Sequence, residues 1–319
     1  MQHFLFESEF SIGLRDRVLP LLRAARRELT LSGYDGKPLA CVRYDAEAPR
    51  GTVLILHGLN ESTEKYRELI AYFLEAGLSV LIYDQRGHGR STRCVRPRLV
   101  HIDRFEEYVQ DALCAVRGPL SECPAPYYLF AHSMGGAVAA LLLEQEAHPF
   151  QRAVLSSPMI RPFRYPMVPP ALVRALCRVV ILCGGSKKRV FVLKEPSGEE
   201  DFANSCALSE ARFRTYAELR KKHPEYAGGA VSFGWAWNSM GVTKQIMRKG
   251  APERIGIPVR VYSAERDHLV ENGPQQNFAA RVPRGELVLV RGSKHEIYHA
   301  NDEILHPYLA SVLSFFRED

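Results

Sequence analysis

Tyr127-Tyr128-Leu129-Phe130-Ala131-His132-Ser133-Met134-Gly135-Gly136-Ala137-Val138 reads as a short apolar strand, an abrupt turn of small residues, and the start of an Ala- and Leu-rich helix that the pattern carries from Ala137 to Glu146. A serine at the tip of a strand-to-helix turn has its hydroxyl pushed out of the sheet, and the free N–H groups of the helix N-terminus aim at the same spot. That is the setting of an activated nucleophile. The usual pentapeptide for such a turn is G-x-S-x-G, and here it reads Ala131-His132-Ser133-Met134-Gly135, with one methyl added at the first position. Residues two before and two after the serine must be small, because strand and helix backbones pass close together there. An ordinary serine in a Gly-rich turn is the plain alternative; the strand before and the helix after weigh against it.

Outward from this turn the chain alternates strand and helix. Thr52-Val-Leu-Ile-Leu56 and Leu78-Ser-Val-Leu-Ile-Tyr83 are continuous apolar runs, as strands covered on both faces require. Helical spacing runs from Glu64 to Ala76, from Asp103 to Arg117 and from Asp302 to Phe316, and further strands are expected at 153–156, 259–263 and 286–290. At the start, Leu29–Tyr34 and Pro38–Tyr44 alternate around Asp35-Gly36, which predicts a hairpin with a two-residue turn. The expected fold is therefore α/β: a mainly parallel twisted sheet flanked by helices on both faces, with an antiparallel hairpin leading in. Ligands in such sheets bind beyond the carboxyl ends of the strands, where Ser133 falls.

Residues 1–27 read as a helical or irregular N-terminal arm, made basic by Arg15, Arg17, Arg23, Arg26 and Arg27. Between Pro158 and Pro258 the alternation fails, which predicts an inserted, mostly helical lid. The division expected is a core of residues 1–157 and 258–319 around an insert of 158–257.

The totals narrow the class. With 46% hydrophobic and 24% charged residues over 319 positions, the chain buries a large core and is neither disordered nor fibrous. A net charge of +6, scattered rather than gathered into an arm, gives no reason to expect nucleic-acid binding. The seven cysteines form no C-x-x-C pair and stand beside no closely spaced histidines, so no zinc or redox motif is visible. The first ten residues are mixed and acidic, unlike a secretory leader, and no run reaches the roughly 18 apolar residues of a membrane span. These features point to a cytoplasmic protein that is not secreted. The longest apolar stretch, Ala171 to Cys183, is interrupted by Arg174 and Arg178 and reads as amphipathic.

A serine nucleophile needs a base, and the base needs an orienting carboxylate; on this kind of sheet they follow in the order Ser, Asp or Glu, His, each on a loop after a strand. Asp267 lies in Ala264-Glu265-Arg266-Asp267-His268, after the strand ending at Ser263, with Glu265 as the competing carboxylate. His295 lies in Gly292-Ser293-Lys294-His295-Glu296, after the strand ending at Val290, and is preferred as base over His132, His268, His299 and His306 on position. Two backbone N–H groups should hold the oxyanion: Met134, just after the nucleophile, and Leu59 in His57-Gly58-Leu59-Asn60. His57 is read as a residue that braces this loop by a side-chain hydrogen bond. Serine at the elbow excludes an aspartate-nucleophile hydrolase.

With those residues in place the chain resembles the α/β-hydrolase superfamily, and within it the monoglyceride lipase and lysophospholipase branch, most closely the bacterial lysophospholipase L2 type. The matching stretches are His57-Gly58-Leu59-Asn60-Glu61, Tyr83-Asp84-Gln85-Arg86-Gly87-His88-Gly89-Arg90-Ser91, His132-Ser133-Met134-Gly135-Gly136, and, in the insert, Phe233-Gly234-Trp235-Ala236-Trp237-Asn238-Ser239. The resemblance implies hydrolysis of a lysophospholipid or monoglyceride ester, with no metal or other cofactor, at or near the inner face of the cytoplasmic membrane. Trp235, Trp237, Phe233 and Leu176 are candidates to contact an acyl chain; packing of the insert on the core explains them equally. Arg161, Arg164, Arg174, Arg178, Lys187, Lys188 and Arg189 beside apolar residues suit peripheral contact with an anionic membrane, as does plain solvated charge. A generic carboxylesterase, a serine aminopeptidase of the same fold and a catalytically inactive binding module are the rival readings.

Overall fold

The structure, a computed structural model, describes residues 3–93, 95, 98–145, 147–162, 170–190 and 201–318. Cys94, Glu146, Arg164 and parts of the 158–257 segment lie outside them. The N-terminal residues form the helices α1 (Phe10–Gly13) and α2 (Leu19–Ala25). Leu5, Phe10, Leu14, Val18 and Leu22 recur every four or five residues, and all are buried in one core cluster. This segment is thus packed against the body of the protein and is no detached arm; Arg15 and Arg23 lie on its exposed side.

Strands β1 (Arg26–Ser32) and β2 (Pro38–Tyr44) pair antiparallel from Arg26 with Tyr44 to Ser32 with Pro38. Their turn corrects the two-residue expectation. Gly33 N–H bonds Lys37 O at 2.8 Å and Gly36 N–H bonds Gly33 O at 2.9 Å, which closes a three-residue connection with Gly36 at φ 76°. A two-residue turn of that family needs positive φ at both central positions, and only the glycine supplies it. Asp35 is instead held by Lys37 and by Arg86.

There follow β3 (Thr52–Leu56), α3 (Arg67–Glu75), β4 (Ser79–Tyr83), β5 (Leu99–Val100), α4 (Glu106–Ala115), β6 (Tyr127–His132), α5 (Met134–Leu143) and β7 (Phe150–Ser156). After them come α6 (Pro170–Val180), α7 (Glu210–Lys222), β8 (Ala230–Val231) and α8 (Phe233–Ile246). Last are β9 (Val259–Ala264), α9 (Asn272–Arg281), β10 (Gly285–Val290) and α10 (Asp302–Phe315). The eight-stranded sheet has the order β1-β2-β4-β3-β6-β7-β9-β10 and is parallel from β4 onward. Alternate residues of β3 serve opposite faces: Leu54 and Leu56 join a cluster with α4, α5, α8 and α9, while Val53 and Ile55 join one with α3, α10 and the N-terminal helices. That two-sided cover is why β3 is apolar at every position from Val53 to Leu56.

β7 pairs directly with β9, so the chain between them leaves the sheet and rejoins it one strand over. Several contacts among the described residues tie this excursion down, two of them from its second half. β8 pairs with β5, and Arg212 of α7, 1% exposed, bonds Glu68 of α3 at 2.8 and 3.0 Å, Asp302 at 3.2 Å and Leu5 O at 2.9 Å. Among the described residues no helix is long and apolar enough to cross a membrane.

Candidate active site

Ser133 is the single residue between β6 and α5, and its backbone sits at φ 52°, ψ −117°, a strained region for a residue with a Cβ. The strain is over-determined by its neighbours. Ser133 N–H bonds Ser156 O at 3.1 Å, and its own carbonyl accepts from Gly136 N at 2.9 Å and Met159 N at 2.8 Å. A Cβ at Gly135 would fall 2.1 Å from Leu56 O and one at Gly136 2.5 Å from Pro158 Cβ, so both positions need hydrogen as the side chain. Ala131, on the strand side, has room for its methyl in the core. In a run of buried residues Ser133 alone is partly open.

Asp267 and His295 come from the loops after β9 and β10. Arg266 N–H to Ser293 O at 2.9 Å joins these loops, and Asp267 Oδ2 meets His295 Nδ1 at 2.6 Å. Asp267 Oδ1 accepts from Leu269 N at 2.8 Å and Val270 N at 3.1 Å. Burial works to raise this carboxyl's pKa, but the imidazole and those hydrogen bonds outweigh it and hold it below the usual value. An ionised carboxylate only accepts, so the proton between the two sits on Nδ1 and the lone pair on Nε2. Nε2 is buried and bonds to no described group. The ring lies 4.8 Å from that of His132, the residue before Ser133. The structure thus joins Asp267 to His295 and sets His295 alongside the serine turn, with the hydroxyl-to-imidazole hydrogen bond unmade.

The competing groups are occupied elsewhere. Glu265 accepts from Gly292 N at 2.8 Å. His268 faces Cys206, His299 faces Glu296 and His306 bonds Leu5 O. His57 joins Gly58 O and Gln85 N at 2.7 and 2.8 Å, tying its loop to the turn after β4. Asp84 accepts from Thr63 N and Arg90 N in the same way.

Beneath the site runs a charged network that sequence reasoning missed. Glu61, the last residue of His57–Glu61, accepts from Gly58 N, Tyr66 Oη and Tyr298 Oη at 2.6 Å each and from Lys65 Nζ at 2.9 Å. Lys65 also pairs with Glu296, next to His295, at 2.5 Å, and Glu61 lies 3.6 Å from His132 Nε2. One buried carboxylate therefore connects the loop of Leu59, the turn of Ser133 and the loop of His295. The signal was its place in a quoted motif; its partners are scattered over the chain. Because Glu61 takes the Gly58 N–H, the next N–H of the loop is that of Leu59, a half-buried residue. Met134 opens α5, so its N–H precedes the helix's own ladder.

The four apolar candidates fall in different settings. Phe233 and Trp235 are buried, Trp237 carries the Arg174 guanidinium 4.7 Å above its ring, and Leu176 is 45% exposed on α6. Among the described residues no group of His, Cys, Asp and Glu is placed to hold a metal ion.

A strained serine between strand and helix, beyond the carboxyl ends of a parallel sheet with an Asp–His pair on later loops, defines the α/β-hydrolase class. The sequence family described as serine aminopeptidase, S33, matches residues 47–302, and the chain belongs to it. Lysophospholipase L2 of Escherichia coli K12 is 27% identical over 308 residues, covering 92% of this chain and 88% of its own. A monoglyceride lipase homolog of Monkeypox virus is 32% identical over 258 residues, covering 80% and 85%. A soluble variant of the monoglyceride lipase of Saccharomyces cerevisiae superposes with TM-score 0.70 at 17% identity, over 92% of this chain and 96% of that one, which shows the fold. The chain thus lies in the lysophospholipase and monoglyceride lipase branch, and these relatives support an ester hydrolase of the α/β-hydrolase fold.

Proposed function

We propose that the chain is a serine hydrolase that cleaves the acyl ester of a lysophospholipid or monoglyceride through an acyl-enzyme on Ser133. Ser133 Oγ attacks the acyl carbonyl while His295 Nε2 takes its proton, Asp267 holds the imidazole and its charge, and the N–H groups of Leu59 and Met134 receive the oxyanion. His295 then returns the proton to the leaving alcohol, and water, activated by the same nitrogen, frees the acid. No metal or organic cofactor enters these steps. The observation that carries the reading is the buried, unbonded Nε2 of a histidine fixed by Asp267 beside a strained serine.

Residues 158–257 serve as the lid, with Phe233, Trp235 and Trp237 on the acyl side and Leu176 on its outer edge. Leu172, Leu176, Val179 and Leu182 are 60%, 45%, 57% and 76% exposed beside the exposed Arg178, Lys187 and Lys188, which supports contact of this edge with an anionic membrane on its cytoplasmic face. An aminopeptidase holds a free amino group with a carboxylate, and among the described residues Glu61 and Glu296, the acids of the network beneath the site, are both engaged with Lys65; this favours esters.

Ser133→Ala is expected to abolish both ester turnover and labelling by a fluorophosphonate probe, and retention of either sinks the assignment. A panel of lysophospholipid, monoglyceride, short-chain ester and aminoacyl-amide substrates, with and without anionic vesicles, then ranks the substrate classes.

A further inference from the structure

A cavity of about 390 Å³ opens at the end of α5 opposite Ser133, between α4, α8 and the turn Pro252–Arg254. The ten residues of α5 separate the two places by about 15 Å of helix, so this cavity is apart from the nucleophile. Its volume is in the range of small-molecule sites.

Three cations line it: Lys244, Arg248 and Arg254. None of these side chains makes a hydrogen bond or ion pair with a described residue, whereas the neighbouring Arg281 is fully engaged with Glu253 at 2.7 and 2.9 Å. Glu144, at the end of α5, is 6% exposed and its Oε1 is buried without a partner. Burial pushes its pKa up to about 8 against the pull of Arg248 and Arg254, so near neutral pH it offers an O–H donor and no counter-charge. The other acid of the cavity, Glu106, holds the Gln245 amide at 2.7 Å. Three cations therefore share the cavity with one carboxylate that already holds an amide, with the amides of Gln110 and Gln145 as further polar groups and Val109 and Leu141 as apolar wall.

We propose that this cavity binds a phosphate group. A planar carboxylate is satisfied by one guanidinium; cations arriving from α8 and from two separate turns, together with a carboxyl O–H from α5, suit an anion with several oxygens and more than one charge. The phosphate belongs to free phosphate, a small phosphate ester or a phospholipid headgroup, which share this chemistry.

The test uses the full chain, with calorimetric titration and thermal melting in inorganic phosphate and in glycerol 3-phosphate, and sedimentation with phosphatidylglycerol-containing vesicles. Chloride at matched ionic strength is the control. Phosphate is expected to raise the melting temperature where chloride does not, and the Arg248→Gln/Arg254→Gln pair to weaken binding by about tenfold or more. All three cations are exposed, so these changes spare the core, and Lys244→Glu gives an independent loss. Ser133→Ala should bind phosphate as the unaltered chain does, which separates this site from the proposed hydrolysis. Binding by soluble probes alone identifies a soluble ligand, and vesicle binding that depends on Arg248 and Arg254 identifies a headgroup. A response equal to that of chloride, or undiminished binding by the double variant, overturns the proposal.

Discussion

At the scale of one residue, Asp267 governs what His295 can do. Its Oδ2 fixes the Nδ1 proton, and its Oδ1 is clamped by the Leu269 and Val270 N–H groups, so the carboxylate cannot rotate away. Asp267→Asn keeps the shape but presents an amide that either donates to Nδ1 or leaves it weakly bound, which favours the wrong tautomer. The expected outcome is a fall in kcat of roughly 10²–10⁴-fold with little change in melting temperature. Steady-state kinetics beside a thermal melt checks both halves. Glu265→Gln, which touches only the Gly292 N–H, should leave kcat within a few-fold, and a large effect there would move the orienting role to Glu265. Sequence order alone separated these two acids by position in the loop. The separation in space comes from the Arg266-to-Ser293 contact between loops, which no local pattern encodes.

At the scale of elements, the strand–turn–helix unit depends on α5 lying almost in contact with the end of β3. Gly135→Ala would set a methyl 2.1 Å from a backbone oxygen, so the helix must shift bodily. A loss of about 1–3 kcal/mol is expected from such overpacking, visible in chemical denaturation, and a larger proportional loss of fluorophosphonate labelling, because the shift also moves the Met134 N–H. Wild-type stability in that variant would show that the contact is soft. Much of this unit was legible in the sequence: continuous apolar runs announce β3, β4 and β6, and small residues announce the turn. The rest was not, for physical reasons. β5 and β8 have two residues each, too few for any periodicity to appear. The Tyr34-Asp35-Gly36 turn differs from its two-residue relative only by which residues take positive φ. The Glu61 network joins residues over two hundred positions apart, and no local pattern in the sequence pairs them.

At the scale of the whole molecule, buried titratable groups shape stability against pH from both sides. Burial lowers the His132 pKa to about 4 despite Glu61, so below the unfolded value of 6.5 the unfolded chain takes up a proton that the native state refuses. Stability from this group is therefore lost as pH falls from 6.5 to 4, by about 3 kcal/mol in all. His57 and His88 are lowered as well and act in the same direction. Glu144 does the reverse: from 4.5 to about 8 the unfolded chain is ionised while the native state keeps its proton, so stability drops as pH rises through that window. Thermal melts are expected to peak between the two flanks. Glu144→Gln should raise the melting temperature at pH above 8 and leave it unchanged near pH 4.5; an equal effect at both would show that this carboxyl is not desolvated.

The Arg212 knot limits motion at this scale as well. Lifting α7 would expose a guanidinium stripped of Glu68, Asp302 and Leu5 O, and would tear open the seating of the N-terminal helices at the same time. α7 is thus bolted to the scaffold, and under the proposed hydrolase reading an acyl chain would come in past the outer edge of α6, where the greasy, solvent-facing ridge lies.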